Sequence, residues 1–254
     1  MVTRLVDSWK THRWFKKGKW FARGAYAKVF RKVESNYPNR LLINRGNVVK
    51  VICKSNSNEA KMLFFELKLT HFLFPDSTLN PKKVRFVPGF VRGLTEIHVD
   101  EVPVHRELAA YQRFLSKHQL KGYRRGGILH RACVDAQRKY GARALEISSE
   151  MDRAGVSSGI HDNPLNVSYA NPKLPVFLDT RIIGPDYLHN LKDKSTLIQI
   201  TQNARKKLLD FASTKDYSVS ERRRFDKYLS LWFDSTMDAI KNPPLVMPKS
   251  EFNY

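Results

Sequence analysis

The sequence predicts an α+β fold, strand-rich in its first part and mainly helical in its second. Three observations predict it. Val48-Val49-Lys50-Val51-Ile52 is β-branched on both sides of one lysine, a strong strand pattern. Helical periodicity runs over about 128–154, 194–214 and 219–240. Between the first two of these helices lies one turn-rich stretch, Gly159–Val167, followed by the apolar run Pro175–Leu178 and Asp179.

The elements follow in order. Residues 1–20 mix bases with aromatics, among them Trp9, Trp14, Phe15, Lys16, Lys17 and Trp20. The segment suits either a phosphate-contacting surface or a leader whose aromatics dock while its lysines stay solvated. Lys19–Tyr26 and Ala27–Val33 read as two strands meeting near Gly24. Tyr37-Pro38-Asn39-Arg40 reads as a turn, Leu41–Asn44 as a strand and Arg45-Gly46-Asn47 as another turn before Val48–Ile52. Asn58 is expected to cap a helix over Glu59–Phe74, with Leu63, Leu67 and Phe74 near one face and Pro75 ending it. Residues 84–102 read as strands, Glu107–His118 as a helix and Lys121–Gly127 as a basic loop. Gly155 suits a left-handed C-cap for the helix over 128–154, and Asn242-Pro243-Pro244 closes the last helix.

Composition bounds the function. The chain has 254 residues, enough for one large domain or two small lobes sharing an interface. A hydrophobic content of 42% supplies a core and excludes a disordered chain. The net charge is +21, from 45 Lys+Arg against 24 Asp+Glu. Such a field attracts nucleic acid, phosphorylated or acidic substrates, or an anionic membrane face. Cys53 and Cys133 give neither a disulfide framework nor zinc spacing, and they fit a reducing compartment. No run approaches the roughly 18 apolar residues that span a bilayer, and the N-terminus lacks a signal-peptide core. The expected location is cytoplasmic, or peripheral at an anionic membrane.

The stretch from Gly159 to Asp179 carries the chemistry. Asn166 and Asp179 offer oxygen ligands at two strand ends, as a metal-phosphate site requires, although the same turn signals also suit a plain hairpin. Upstream, Gly24-Ala25-Tyr26-Ala27-Lys28-Val29, Lys50 within Val-Val-Lys-Val, and Glu66 within Phe-Phe-Glu-Leu-Lys precede it in order. Together these residues resemble a small, divergent form of the protein-kinase-like fold, over about 24–180, with 13 residues from Asn166 to Asp179. The resemblance implies two lobes: a strand-rich N-lobe over 1–104 and a helical C-lobe over 105–254. It implies that Gly24, Tyr26 and Val29 form a glycine-loop-like cover on ATP. Lys50 would then contact the phosphates with Glu66 as its helix partner, and Asn166 and Asp179 would hold Mg²⁺ or Mn²⁺. Taken by itself, Lys50 also suits the solvent-facing position of an edge strand, and Glu66 an exposed helix position, with Glu59 as a competing partner.

The sequence departs from the family in several places. Ala22 and Ala27 stand at the outer glycine positions, Thr180-Arg181 follows Asp179 in place of Phe-Gly, and no Ala-Pro-Glu element follows. The short form resembles small bacterial kinase-like proteins. Alignment on Pro164-Leu165-Asn166 sets His161 at the catalytic-base position, with Asp162 one residue later, so either residue is a candidate.

Three functions follow as expectations. The first is an ATP-dependent phosphotransferase acting on a hydroxyl acceptor, foremost a protein. The second is a pseudokinase serving as a nucleotide- or protein-binding platform. The third is a basic nucleic-acid-binding protein without kinase chemistry. Arg124, Arg125, Arg222, Arg223 and Arg224 are candidate contacts to an acidic acceptor, or a solvated face.

Overall fold

The computed structural model describes residues 19–23, 27–37, 40–55, 57–87, 93–100, 128–160, 166–169, 171, 173–183 and 193–242. Five strands form one antiparallel sheet: β1 (Lys19–Arg23), β2 (Ala27–Tyr37), β3 (Arg40–Ser55), β4 (Pro81–Val87) and β5 (Gly93–Asp100). Their spatial order is β1-β2-β3-β5-β4. Helix α1 (Ser57–Leu73) follows β3 directly and leads into β4, so it makes the connection from the centre of the sheet to its edge. Three more helices follow: α2 (Ile128–Arg153), α3 (Lys194–Ser213) and α4 (Val219–Lys241). The hairpin β6 (Val167–Ser168) and β7 (Val176–Phe177) lies between α2 and α3. The α+β character and the order of strands before helices agree with the sequence. The expected helix over Glu107–His118 and the basic loop over Lys121–Gly127 lie outside the described residues.

Local chemistry explains the helix limits. Asp193 caps α3 by accepting from the Ser195 and Thr196 N–H groups at 2.9 and 3.3 Å. Ser218 and Glu221 form a capping box at the start of α4, with Ser218 Oγ accepting from the Glu221 N–H and Glu221 Oε2 accepting from the Ser218 N–H. At the end of α2, Gly155 adopts φ 78°, and the Val156 N–H donates to the Met151 carbonyl at 2.9 Å. This left-handed closure is the one expected of Gly155.

Three local expectations change. Arg45-Gly46-Asn47 is not a turn, because β3 runs unbroken from Arg40 to Ser55. The extra residues are taken up as a register shift: Arg31 pairs with Val48 while Val33 pairs with Ile43. Helix α1 begins at Ser57, so Asn58 lies inside its first turn and does not precede it. The apolar face of α1 is also wider than Leu63 and Leu67, since Met62, Leu69, Thr70 and Leu73 are buried too. A helix covered on more than one side loses its polar stripe.

That wide burial follows from the position of α1, which packs on β4 and β5 and also against α4. Phe72 stacks at a tilt on Tyr217 and Phe225, and Phe74 on Phe211 of α3, at ring separations of 5.2, 5.9 and 5.5 Å. One hydrophobic cluster runs from Ile97 and Val99 in β5 through α1 to Met151, Phe177, Leu208, Phe225 and Trp232. Burial of such side chains supplies about 1.5–3 kcal/mol each before entropy is counted.

Candidate active site

Strand β3 sets the position of Lys50. It has a partner on each side, and Lys50 pairs with Val29 of β2 and Ile97 of β5. The edge-strand alternative for Lys50 is therefore excluded. Gly24 and Tyr26 fall in the segment joining β1 to β2, and they lie outside the described residues. So do His161 and Asp162.

Helix α1 brings Glu66 to the segment that follows the hairpin. Glu66 is fully buried, which excludes the exposed-helix alternative. The Ile183 N–H donates to Glu66 Oε2 at 3.4 Å, and one turn further along α1 the Thr180 hydroxyl donates to the Thr70 hydroxyl at 3.4 Å. Burial pushes the Glu66 carboxyl from its usual 4.5 up to about 7, against the opposing pull of the Arg181 guanidinium, the Ile182 and Ile183 N–H groups and the Trp232 indole. Among the described residues Glu66 Oε1 and Trp232 Nε1 have no hydrogen-bond partner, so the indole sits near the carboxylate without closing a bond.

The hairpin brings Asn166 and Asp179 together. The Leu178 N–H donates to the Asn166 carbonyl at 2.7 Å, extending the β6–β7 ladder. Asn166 Nδ2 donates to the Gly159 carbonyl at 2.9 Å, which anchors the amide. Gly159 has φ 63°, and a Cβ there would meet Asn166 Nδ2 at 2.8 Å and the Asp179 carbonyl oxygen at 3.1 Å. The backbone thus passes so close to both residues that only glycine fits. Ser157 and Arg181 lock this approach with reciprocal backbone hydrogen bonds of 2.7 and 2.9 Å. The hairpin is tied to the turn after α1 as well, where the Phe177 N–H donates to the Ser77 carbonyl at 2.8 Å.

Asp179 carries an ion pair that sequence reasoning missed. Arg181 Nη2 lies 2.8 Å from Asp179 Oδ1, with the Arg181 side chain 14% exposed and the Asp179 side chain 41% exposed. Arg181 Nη1 also donates to the Thr180 carbonyl at 3.2 Å. The available signal was a cation two residues after a candidate metal ligand. Trp232 had no local signal, because it reaches Glu66 only through the packing of α4 on α1.

A divalent ion fits this donor set in part. Asn166 and Asp179 would offer oxygen ligands, and Mg²⁺ characteristically takes one or two carboxylates with waters and phosphates completing the shell. Among the described residues no group of three or more His, Cys, Asp or Glu side chains converges as a full metal cage.

No protein-family model matches the chain, and no curated protein matches it. Among solved structures the chain is similar to aminoglycoside 2′-phosphotransferase-IIIa in its GDP complex. The wild-type form is 14% identical, with 94% of this chain and 92% of the other covered, at a TM-score of 0.29. A point variant of it is 14% identical, with 95% and 92% covered, at a TM-score of 0.30. A GDP and kanamycin complex of APH(2″)-IIIa is 12% identical, with 94% and 92% covered, also at 0.30. Superpositions at these TM-scores do not decide an activity.

Proposed function

We propose that the chain is a kinase-like phosphotransferase that binds ATP with Mg²⁺ or Mn²⁺ and transfers a phosphoryl group to a hydroxyl acceptor. The observation that carries this reading is the meeting of Glu66 with the segment just after Asp179. The helix that follows the lysine-bearing strand reaches the element carrying the candidate metal ligands, through the Ile183 N–H and Thr180. A nucleotide site of this type needs a strand lysine, a helix carboxylate and a metal-binding aspartate in one place, and the contact of the helix with the segment after the aspartate supports two of these three. In this reading residues 1–104 cover the nucleotide and residues 105–254 supply the acceptor side. Lys50 contacts the phosphates, and Gly24, Tyr26 and Val29 lie over the nucleotide. Asn166 and Asp179 would hold the metal, which would neutralise phosphate charge. Asp162 takes the acceptor proton, with His161 the alternative. A protein acceptor with an acidic or phosphorylated surface suits the net charge of +21.

The Arg181–Asp179 ion pair favours a second reading, a pseudokinase that binds nucleotide without transferring phosphate. Among the described residues no helix is long and apolar enough to cross a membrane.

The test is thermal unfolding with ATP and either metal. A ligand at about 100 times its Kd stabilises the native state by about 2.7 kcal/mol. Lys50→Ala and Asp179→Ala are each expected to abolish that gain, and wild-type turnover on both variants would end the proposal. Phosphate transfer that is lost in Asp162→Asn supports the enzyme, whereas ATP binding with no transfer supports the pseudokinase.

A further inference from the structure

Arg181 sits where two carboxylates need a counter-charge. Its guanidinium reaches Asp179 at 2.8 Å, and its charge is the first of the influences that favour an ionised Glu66. Its backbone is pinned on both sides by Ser157, and Nη1 is satisfied by the Thr180 carbonyl. The side chain is therefore held in place and is largely shielded from water. A guanidinium presents fixed donors to a carboxylate and cannot lose its charge, so it competes with any cation seeking the same oxygens.

We propose that Arg181 is a resident cation of this site, neutralising Asp179 in the metal-free protein, so that a divalent ion must compete with the guanidinium for the Asp179 carboxylate. Arg181 is thus a positioning residue that sets the metal threshold of the site. The role of Asp179 as a metal ligand comes from the phosphotransferase reading, and the inference rests on that reading at this one point. Displacement strips a counter-charge from Asp179, so the metal affinity of the resting protein is low.

The experiment titrates Mn²⁺ into the full chain without nucleotide, following free Mn²⁺ by electron paramagnetic resonance. Arg181→Gln is expected to tighten Mn²⁺ binding about tenfold, the scale of one lost charge-assisted contact. Arg181→Lys, which keeps the charge but not the fork, is expected to fall between it and wild type. Adding Asp179→Asn to Arg181→Gln is expected to remove the gain. Equal or weaker Mn²⁺ binding in Arg181→Gln overturns the proposal, as does a gain that survives Asp179→Asn. If circular dichroism shows Arg181→Gln unfolded, Arg181→Lys decides: a tighter Kd supports the proposal and an unchanged one overturns it. Because nucleotide is left out, a chain that binds no ATP still yields the result. Conversely, ATP binding that stays intact while Arg181 variants leave the Mn²⁺ affinity unchanged sinks this inference alone.

Discussion

Replacing Glu66 with Gln should make the protein more stable at pH 8 and leave it nearly unchanged at pH 5. The carboxyl is fully buried, and burial raises it from 4.5 to about 7. Between those values the native state holds a proton that the unfolded chain has released. Unfolding then releases that proton, so stability falls as pH rises. The Glu66 contribution is intact below about pH 4.5 and fully lost above about pH 7. At about 1.4 kcal/mol for each tenfold change in proton affinity, the loss at pH 8 is about 3 kcal/mol. That is a large part of the roughly 5–15 kcal/mol that holds a typical domain together. Gln is isosteric and neutral, and its remaining oxygen can still accept from the Ile183 N–H. Urea unfolding of both proteins at pH 5, 6.5 and 8, followed by tryptophan fluorescence, reads the difference. The expected outcome is a wild-type midpoint that drops with pH, a nearly flat Glu66→Gln midpoint, and a gap near 3 kcal/mol at pH 8. A wild-type stability that instead rises to pH 8, with Glu66→Gln the weaker protein there, would refute the reasoning. It would mean that a cation such as Lys50 fully compensates the carboxylate.

Two further outcomes probe the hairpin. Gly159→Ala forces a side chain into a left-handed backbone and against Asn166, so it should lose about 1–2 kcal/mol from the conformation alone, measured by denaturant unfolding, and weaken Mn²⁺ binding. Phe177→Ala removes a fully buried ring whose backbone ties the hairpin to Ser77, and about 3–5 kcal/mol should be lost in the same assay.

Much of the fold was legible because its signals are local. The periodicity over 194–214 and 219–240 matches α3 and α4 to within a residue at each end, since Asp193 and Ser218 cap within one turn. Gly155 was readable as a C-cap because αL geometry disfavours every residue with a side chain. Arg45-Gly46-Asn47 are residue types that favour turns in isolation, whereas pairing on either side of them, Ile43 with Val33 and Asn47 with Asp100, keeps β3 continuous. Strand register is a property of two chain segments, and neither segment displays it alone.

The sequence by itself determined the strand-then-helix order, the ends of the last two helices, the basic field and the candidate residues Lys50, Glu66, Asn166 and Asp179. These depend on composition, on period and on contacts within a turn or two. Only the tertiary structure decided that Lys50 lies on a central strand, that Glu66 is buried beside Trp232, and that Arg181 occupies the carboxylate of Asp179. The physical reason is that burial and charge pairing arise where distant segments converge. The environment of a side chain is set by neighbours that its own stretch of sequence does not contain.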